Sequence, residues 1–127
     1  MINKLDKVPL LAELIADDRR ALIEFLSERE LDAGNTLFRT NEEAEELYFV
    51  LGGSLAIRAE GQTLAELGPG EVLGALCLFS VGRRECDAVA LETTQLLILT
   101  RESYLRLRAD LPVLALQLEE AIVRTFS

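Results

Sequence analysis

The spacing of apolar residues changes twice along the chain and divides it into three parts. In the first part, apolar residues recur at helical spacing and form one stripe, which comprises Leu11, Leu14, Ile15, Leu22, Phe25 and Leu26. We therefore predict helices over about residues 9–28, with Pro9 in a first turn and Asp17 capping a second segment. The stripe is expected to pack against the elements that follow it.

Short apolar runs separated by glycines fill the middle of the chain, over about residues 30–99. Leu55, Ile57 and Ala59 alternate along one run, and Glu60-Gly61 indicates a tight hairpin turn after it. Gly68-Pro69-Gly70 indicates another reversal, and further strands are predicted at residues 47–51, 63–67, 86–91 and 95–99. The predicted fold class is mainly β: a jelly-roll β-barrel, or double-stranded β-helix, flanked by N-terminal and C-terminal helices.

The last part of the chain returns to helical spacing. Thr100 is the predicted N-cap of a helix over residues 101–109, and Pro112 marks the start of a second helix that extends to about Phe126. The second helix has little polar face, because apolar residues occupy Val113, Leu114, Leu116, Leu118, Ala121, Ile122, Val123 and Phe126. It must pack on the barrel or on a second copy of itself. We expect residues 1–127 to form a single domain.

The chain is strongly acidic, because 22 acidic residues outnumber 13 basic ones and give a net charge of −9. Nucleic-acid binding rests on clustered Lys and Arg, so we expect no contact with DNA or RNA. The densest acidic segment, residues 41–46, is predicted to be a solvated loop, although it could also meet a basic partner. Neither a membrane span nor a signal-peptide pattern is present, which favours a cytoplasmic protein without membrane contact.

The chain contains no histidine, which removes Ser-His-Asp and Cys-His catalysis and the commonest zinc and iron ligands. Two cysteines, Cys77 and Cys86, are too few for a four-thiolate metal site. A disulfide between them is an open alternative, but a reducing cytosol favours two small buried hydrophobic side chains. We therefore predict no enzyme activity, no metal and no cofactor.

Helices, a barrel with frequent glycines and further helices follow one another in the order found in cyclic nucleotide-binding domains. Residues 31–57, LDAGNTLFRTNEEAEELYFVLGGSLAI, resemble the opening strands of that family, including Gly34 and the Gly53 that begins a hairpin. Residues 64–90, LAELGPGEVLGALCLFSVGRRECDAVA, resemble its phosphate-binding cassette: a glycine turn, a short helix, an arginine and a strand. Over nearly its whole length, the chain thus resembles an effector domain of the catabolite activator type.

The resemblance implies a ligand-binding cassette formed by Gly74, Ala75, Leu76, Cys77, Arg84, Glu85 and Cys86. In the family, the glycine lets the backbone approach a cyclic phosphate and the short helix presents its N–H groups, roles that Gly74 and Leu76 match. A helix N-terminus attracts anions in any protein. Arg84 takes the place of the arginine that pairs with the phosphate, a role suited to its permanent charge and fork of donors. The alternative is that Arg83 and Arg84 are solvated loop charges.

Two cassette positions depart from the family pattern. Ala75 stands where the family has a glutamate that accepts from the ribose 2′-hydroxyl, and Glu85 stands where Ala, Ser or Thr is usual. Losing the hydrogen bond costs about 1.5–3 kcal/mol, and a carboxylate roughly 4 Å from a phosphate repels it by about 4 kcal/mol at an effective dielectric near 20. Together the two changes approach ~6 kcal/mol, which is about four decades of affinity and enough to abolish binding.

The direction of the Glu85 side chain decides whether this repulsion applies. If a strand begins at Arg84, side chains alternate and Glu85 lies with Asp87 on the face opposite the arginine. The strand face that carries the arginine then comprises Arg84, Cys86, Ala88 and Ala90. In relatives, however, the residue at position 85 touches the phosphate. A third alternative is a salt bridge from Glu85 to Arg83 or Arg84, which would fill the empty site.

We therefore predict a non-catalytic regulatory module that binds cyclic AMP, cyclic GMP or a related anion weakly or in altered form. The alternative is a module without a small ligand that acts through a protein partner or as a homodimer, with the C-terminal helix over residues 113–126 as its interface. In the mechanism that the resemblance implies, an anion closes the cassette around residues 74–78 and repositions the helices beyond Thr100.

Overall fold

Three short helices form the N-terminal part of the computed structural model, which describes residues 2–125 and, from residue 4 onward, their side chains. They are α1 (Ile2–Leu5), α2 (Pro9–Ala12) and α3 (Ala16–Ile23). Pro9 begins α2 as predicted. Asp17 does not cap α3, because the residue before the helix is Ile15 and Asp17 already lies in the first turn. There its carboxylate accepts a hydrogen bond from Arg20 at 3.0 Å.

The predicted helix boundary near residue 28 is wrong, since α3 ends at Ile23 and strand β1 (Ser27–Leu31) begins four residues later. Phe25 and Leu26 continue the helical spacing, but their N–H groups donate to the carbonyls three residues earlier, as in a tight turn. Most side chains of β1 are exposed. An exposed edge strand has no apolar alternation, and apolar spacing therefore could not mark where β1 begins.

Within the described residues, eight strands form two four-stranded antiparallel sheets. The strands after β1 are β2 (Thr36–Phe38), β3 (Glu46–Gly52), β4 (Leu55–Ala59), β5 (Gln62–Leu67), β6 (Val72–Leu73), β7 (Asp87–Ala90) and β8 (Thr94–Thr100). Their order is β1-β8-β3-β6 in the first sheet and β2-β7-β4-β5 in the second. The predicted fold class, a mainly β jelly roll with flanking helices, is confirmed.

The two central strands of the first sheet are buried on both faces, which explains their continuous apolar runs. In β3, Leu47, Phe49 and Leu51 point toward the helices, whereas Tyr48 and Val50 point toward the second sheet. Strand β8 follows the same alternation across the pairing of Tyr48 with Ile98 and of Phe49 with Leu97. Two apolar clusters result, and the cluster between the sheets is the one that borders the predicted ligand site.

The hairpin of β4 and β5 turns at Glu60 and Gly61 as predicted, and both residues have positive φ angles, 52° and 78°. Two successive positive φ angles are typical of the two-residue hairpin turns whose twist matches the strands. Strand β7 is shorter than the predicted strand over residues 86–91 and begins at Asp87 rather than Arg84. The condition under which Arg84 and Glu85 would alternate, a strand that begins at Arg84, is therefore not met.

Two helices complete the fold, α4 (Arg101–Asp110) and α5 (Pro112–Thr125). Thr100 caps α4 as predicted, since its side-chain oxygen accepts the Ser103 N–H at 3.0 Å. Helix α5 begins at Pro112 and buries Leu114, Ala115, Leu118, Ala121 and Ile122, while the predicted end at Phe126 lies outside the described residues. Among the helices of residues 2–125, none combines the length and apolarity needed to cross a membrane.

Candidate functional site

Arg84 is a charged side chain that the fold buries against the cluster between the sheets, with 8% of its surface exposed. Its Nη2 donates to the backbone carbonyl of Glu46 at 2.8 Å, and its guanidinium carbon lies 4.3 Å from the centroid of the Phe38 ring. Among the described residues, no carboxylate pairs with it and Nε is buried without a partner. Buried charges are normally paired, so this arginine has donors to spare for an anion.

Gly74 brings the backbone directly against this guanidinium. It precedes a 3-10 helix (Ala75–Leu78) and adopts φ 86° and ψ 22°, in the left-handed region that favours glycine. A Cβ atom at this position would lie 2.7 Å from Nη1 of Arg84 and 2.9 Å from the Glu46 carbonyl oxygen. Glycine is therefore required here both by the backbone angle and by the close approach of Arg84.

The other cassette residues on the 3-10 helix lie in two different environments. Ala75 is half-buried and packs against the cluster between the first sheet and the helices, and Cys77 belongs to the same cluster. Leu76 is 77% exposed. The methyl group of Ala75 thus serves packing in this structure, and no carboxylate replaces the one that the family pattern would place there.

Glu85 is exposed and forms no ion pair with Arg83 or Arg84 within the described part of the chain. The two arginines instead donate to backbone carbonyls, of Asn41 and Glu46 respectively. Of the alternatives for Glu85, the structure shows an exposed side chain next to a buried Arg84, although β7 begins only at Asp87. The reason is local pairing, since the N–H and C=O of Arg84 bond to Glu42 and Asn41, each at 2.8 Å.

A cavity of about 490 Å³ opens beside Arg84, the one cassette residue among its lining residues in the described structure. Five of the residues that line it are glutamates, Glu42, Glu43, Glu45, Glu46 and Glu102. The Glu46 carboxylate is engaged, because it accepts from the Tyr48 hydroxyl at 2.7 Å and from Arg29 at 3.2 Å. The other four are exposed and have no ion-pair partner among residues 2–125; we call them the acidic rim. The predicted solvated loop thus also borders the cavity.

Neither cysteine has the electronic character of a reactive thiol. Cys77 and Cys86 are free, so the alternative of a disulfide between them is not realised. Burial raises the pKa of both thiols, more than the nearby Arg84 lowers it. A raised pKa leaves little thiolate at neutral pH, which disfavours redox sensing. In the described part of the chain, no cluster of three or more Cys, Asp or Glu residues could hold a metal ion.

Comparison with known proteins identifies the family of a chain that combines a glycine turn, a short helix and a buried arginine. The family model described as "Cyclic nucleotide-binding domain" matches residues 28–110, well over half of the chain. The chain belongs to the cyclic nucleotide-binding domain family. This cyclic nucleotide-binding domain is 33% identical over 121 residues to the cyclic AMP receptor protein of Thermus thermophilus, and the match covers 91% of this chain and 56% of that protein.

Solved structures agree with this assignment of the domain. The N-terminal domain of a transcriptional regulator from Streptomyces coelicolor superposes with a TM-score of 0.82 at 30% identity, covering 97% of this chain and 90% of that one. A cyclic nucleotide-binding domain from Methylobacillus flagellatus shares the fold with a TM-score of 0.84 at 20% identity, covering 97% and 72% of the two chains. The domain spans little more than half the length of the Thermus protein.

Arg101 connects the cassette of this cyclic nucleotide-binding domain to helix α4, a role that the sequence analysis missed. Its guanidinium donates to the carbonyls of Cys77 at 2.8 Å and Ser80 at 3.1 Å in the cassette, and to that of Ala44 at 2.7 Å. A cation at the start of a helix opposes the helix dipole. That unfavourable placement, directly after the Thr100 cap, was the signal in the sequence that Arg101 has a tertiary role.

Proposed function

We propose that this chain acts as a single non-catalytic regulatory domain that binds cyclic AMP, cyclic GMP or a related anion, with Arg84 as the phosphate ligand. The observation that supports the proposal is the burial of Arg84 beside the Gly74 backbone, with no carboxylate partner among residues 4–125. Desolvating a charge is costly unless partners compensate. One carbonyl and an aromatic ring offset part of that cost, and a bound phosphate would supply the missing negative charge.

The affinity that we propose is low, and Ala75 is the reason. The carboxylate that family members use for the ribose hydroxyl has no counterpart at this position. Losing one such hydrogen bond weakens binding by about 10- to 150-fold, which moves a micromolar ligand toward the millimolar range. We expect Glu85 to add little repulsion to this loss, because its side chain is exposed to screening by solvent and is not among the residues that line the cavity beside Arg84.

Calorimetric titration with cyclic AMP and cyclic GMP up to millimolar concentration tests the proposal. We expect saturable binding by the unmodified chain and a loss of about 10- to 150-fold or more in Arg84→Gln, because the charged hydrogen bonds to phosphate disappear. Arg84→Lys should recover part of the affinity, because it restores the positive charge but not the forked pair of guanidinium donors. Circular dichroism and thermal melting confirm that each variant is folded.

Arg83→Gln is the matched control, since it removes the same charge from an exposed neighbour that bonds to the Asn41 carbonyl. It should leave the affinity within about two-fold of the unmodified chain, as expected for a screened surface charge. The proposal fails if the folded, unmodified chain gives no heat with either nucleotide, or if Arg84→Gln and Arg83→Gln bind equally well.

A second candidate function is a ligand-free interaction module, and two observations favour it. Arg84 is already fixed by the Glu46 carbonyl and the Phe38 ring, with the Tyr48 ring centroid 5.5 Å from its guanidinium carbon. Cation–π contacts of this kind partly compensate a buried charge. In addition, Val113 and Leu116 lie exposed on α5, 69% and 53% respectively, which offers an apolar surface for a partner or a second copy.

A further inference from the structure

We propose that the acidic rim, Glu42, Glu43, Glu45 and Glu102, selects ligands with a single negative charge and makes anion binding strengthen as salt is added. This inference rests on the proposed function, because it concerns the anion held by Arg84. It reverses the usual behaviour of anion sites, whose affinity falls with ionic strength. Two features of the site carry the argument: the imbalance of charge around the cavity, and the different exposure of its positive and negative groups.

The charge around the cavity is strongly unbalanced toward negative. Two arginines line it, but the Arg101 guanidinium already bonds three backbone carbonyls. Among the glutamates, Glu46 is neutralised locally by Arg29. An anion that reaches Arg84 through this cavity therefore meets two positive charges, of which only Arg84 has donors to spare, and four carboxylates that have no ion-pair partner in the described structure.

Salt acts differently on the two sets of charges because they differ in exposure. The rim carboxylates are exposed, so mobile ions screen their field over about 10 Å at 0.1 M salt. Arg84 is buried, and contacts within a buried site are screened far less. Added salt thus removes more repulsion than attraction, and the net effect on an approaching anion is favourable.

The same imbalance distinguishes ligands by charge. A cyclic phosphodiester carries one negative charge, whereas a phosphomonoester carries about 1.5 to 2 near neutral pH. Attraction by the arginines and repulsion by the rim both scale with the ligand charge, and the four rim carboxylates outnumber the two arginines that line the cavity, so the additional charge of a phosphomonoester meets net repulsion. The rim therefore favours the cyclic monoanion over nucleotides that differ from it by an opened phosphate ring.

The test is a calorimetric salt series with cyclic AMP on the unmodified chain and on Glu42→Gln/Glu43→Gln/Glu45→Gln. For the unmodified chain, we expect the affinity to rise about three- to five-fold between about 20 mM and about 300 mM NaCl. The triple variant should bind more tightly at low salt by a similar factor, and its affinity should fall or stay level as salt increases. Competition with 5′-AMP provides a second readout. The affinity of 5′-AMP should be lower than that of cyclic AMP in the unmodified chain, and this difference in affinity should be smaller in the triple variant.

A matched control, Glu24→Gln/Glu30→Gln/Glu66→Gln, changes the net charge equally at exposed positions away from the cavity. It should behave like the unmodified chain. The inference is overturned if cyclic AMP binds the unmodified chain but weakens with salt, if the control and rim variants respond alike, or if 5′-AMP gains nothing in the rim variant. Absence of binding by every chain at every salt concentration would overturn the proposed function as well. Binding by the rim variant alone would support the inference, because the rim would then exclude the anion, but it would overturn the proposed binding by the unmodified chain.

Discussion

Tyr104 carries a hydroxyl group that the fold buries without a hydrogen-bond partner among the described residues. The residue lies in α4, and its ring meets the cassette residue Phe79 edge-to-face, with centroids 6.2 Å apart. Ring contacts of this type are worth about 0.5–1.5 kcal/mol, whereas a buried unpaired hydroxyl costs about 1–3 kcal/mol. The ring therefore stabilises the contact between α4 and the cassette, and the hydroxyl opposes it.

Tyr104→Phe is accordingly expected to stabilise the domain by about 1 kcal/mol, because it keeps the ring and removes the unpaired hydroxyl. The measurement is urea unfolding, in which the midpoint should rise while the slope stays unchanged. Tyr48→Phe is the matched control, since the Tyr48 hydroxyl does donate to Glu46 at 2.7 Å. That variant should lose stability. A less stable Tyr104→Phe would show that the hydroxyl has a role in the folded state.

The sequence left the direction of the Glu85 side chain open, because side-chain alternation applies only if a strand begins at Arg84, and β7 begins at Asp87. The sequence could not identify what receives the arginine. Phe38 and Tyr48 come from β2 and β3, and their stacking at 6.0 Å depends on how the two sheets pack against each other. The exposed acidic residues were likewise visible as a charged loop, but their position around the cavity follows from the return of residues 83–84 beside residues 41–43.

Helix α4 and the cassette are held together chiefly by one side chain, Arg101. Besides its three side-chain bonds, its backbone N–H donates to the Glu45 carbonyl at 2.8 Å. A shift of the cassette carbonyls would therefore move the first residue of α4 directly. The family resemblance implies that ligand binding moves the helices. In this chain, Arg101 would be the physical connection for that movement.

We expect Arg101→Gln to loosen the cassette, because a shorter neutral side chain cannot bridge its carbonyls, at a cost of about 2 kcal/mol. Amide hydrogen exchange at Cys77, Phe79 and Ser80, whose N–H groups bond within the cassette, should accelerate by about 30-fold if opening is local. Arg106→Gln changes the same charge on the same helix, where Arg106 contacts Ser103 and the Phe25 ring, and should leave these amides unchanged. Equal exchange in both variants would contradict the proposed connection.

Most elements followed from local signals, and the exceptions share one cause. Thr100 and Pro112 marked the starts of α4 and α5, because capping and helix initiation depend on a few neighbouring residues. The end of α3 was misplaced, because Phe25 and Leu26 satisfy helical spacing while packing from a turn. Apolar spacing reports which side chains are buried, and a turn before an exposed edge strand can bury the same positions as another helical turn.

Both flanking helical groups cover the same face of the barrel. The apolar cluster on that face joins residues of α2, α3, α4 and α5 to β3 and β8, whereas β5 in the second sheet is almost entirely exposed. The helices therefore pack against one face of the first sheet, whose opposite face contributes to the cluster between the sheets that Arg84 contacts. The apolar character of α5 exceeds what this packing uses, since five of its residues are buried and Val113 and Leu116 remain exposed.

That exposed surface of α5 leads to the last prediction, concentration-dependent dimerisation through the C-terminal helix. The sequence required α5 to pack on the barrel or on a second copy, and the structure shows that the barrel covers only one side. Light scattering after size exclusion should show a mass that increases with loading concentration, because burying exposed aliphatic side chains is favourable at about 25 cal/mol per Å². Val113→Ser/Leu116→Ser should remain monomeric, whereas Leu64→Ser/Val81→Ser, at comparably exposed apolar positions elsewhere, should dimerise like the unmodified chain. If the unmodified chain stays monomeric at roughly millimolar concentration, the free energy of dimerisation is weaker than about 4 kcal/mol. That result would remove the homodimer from consideration.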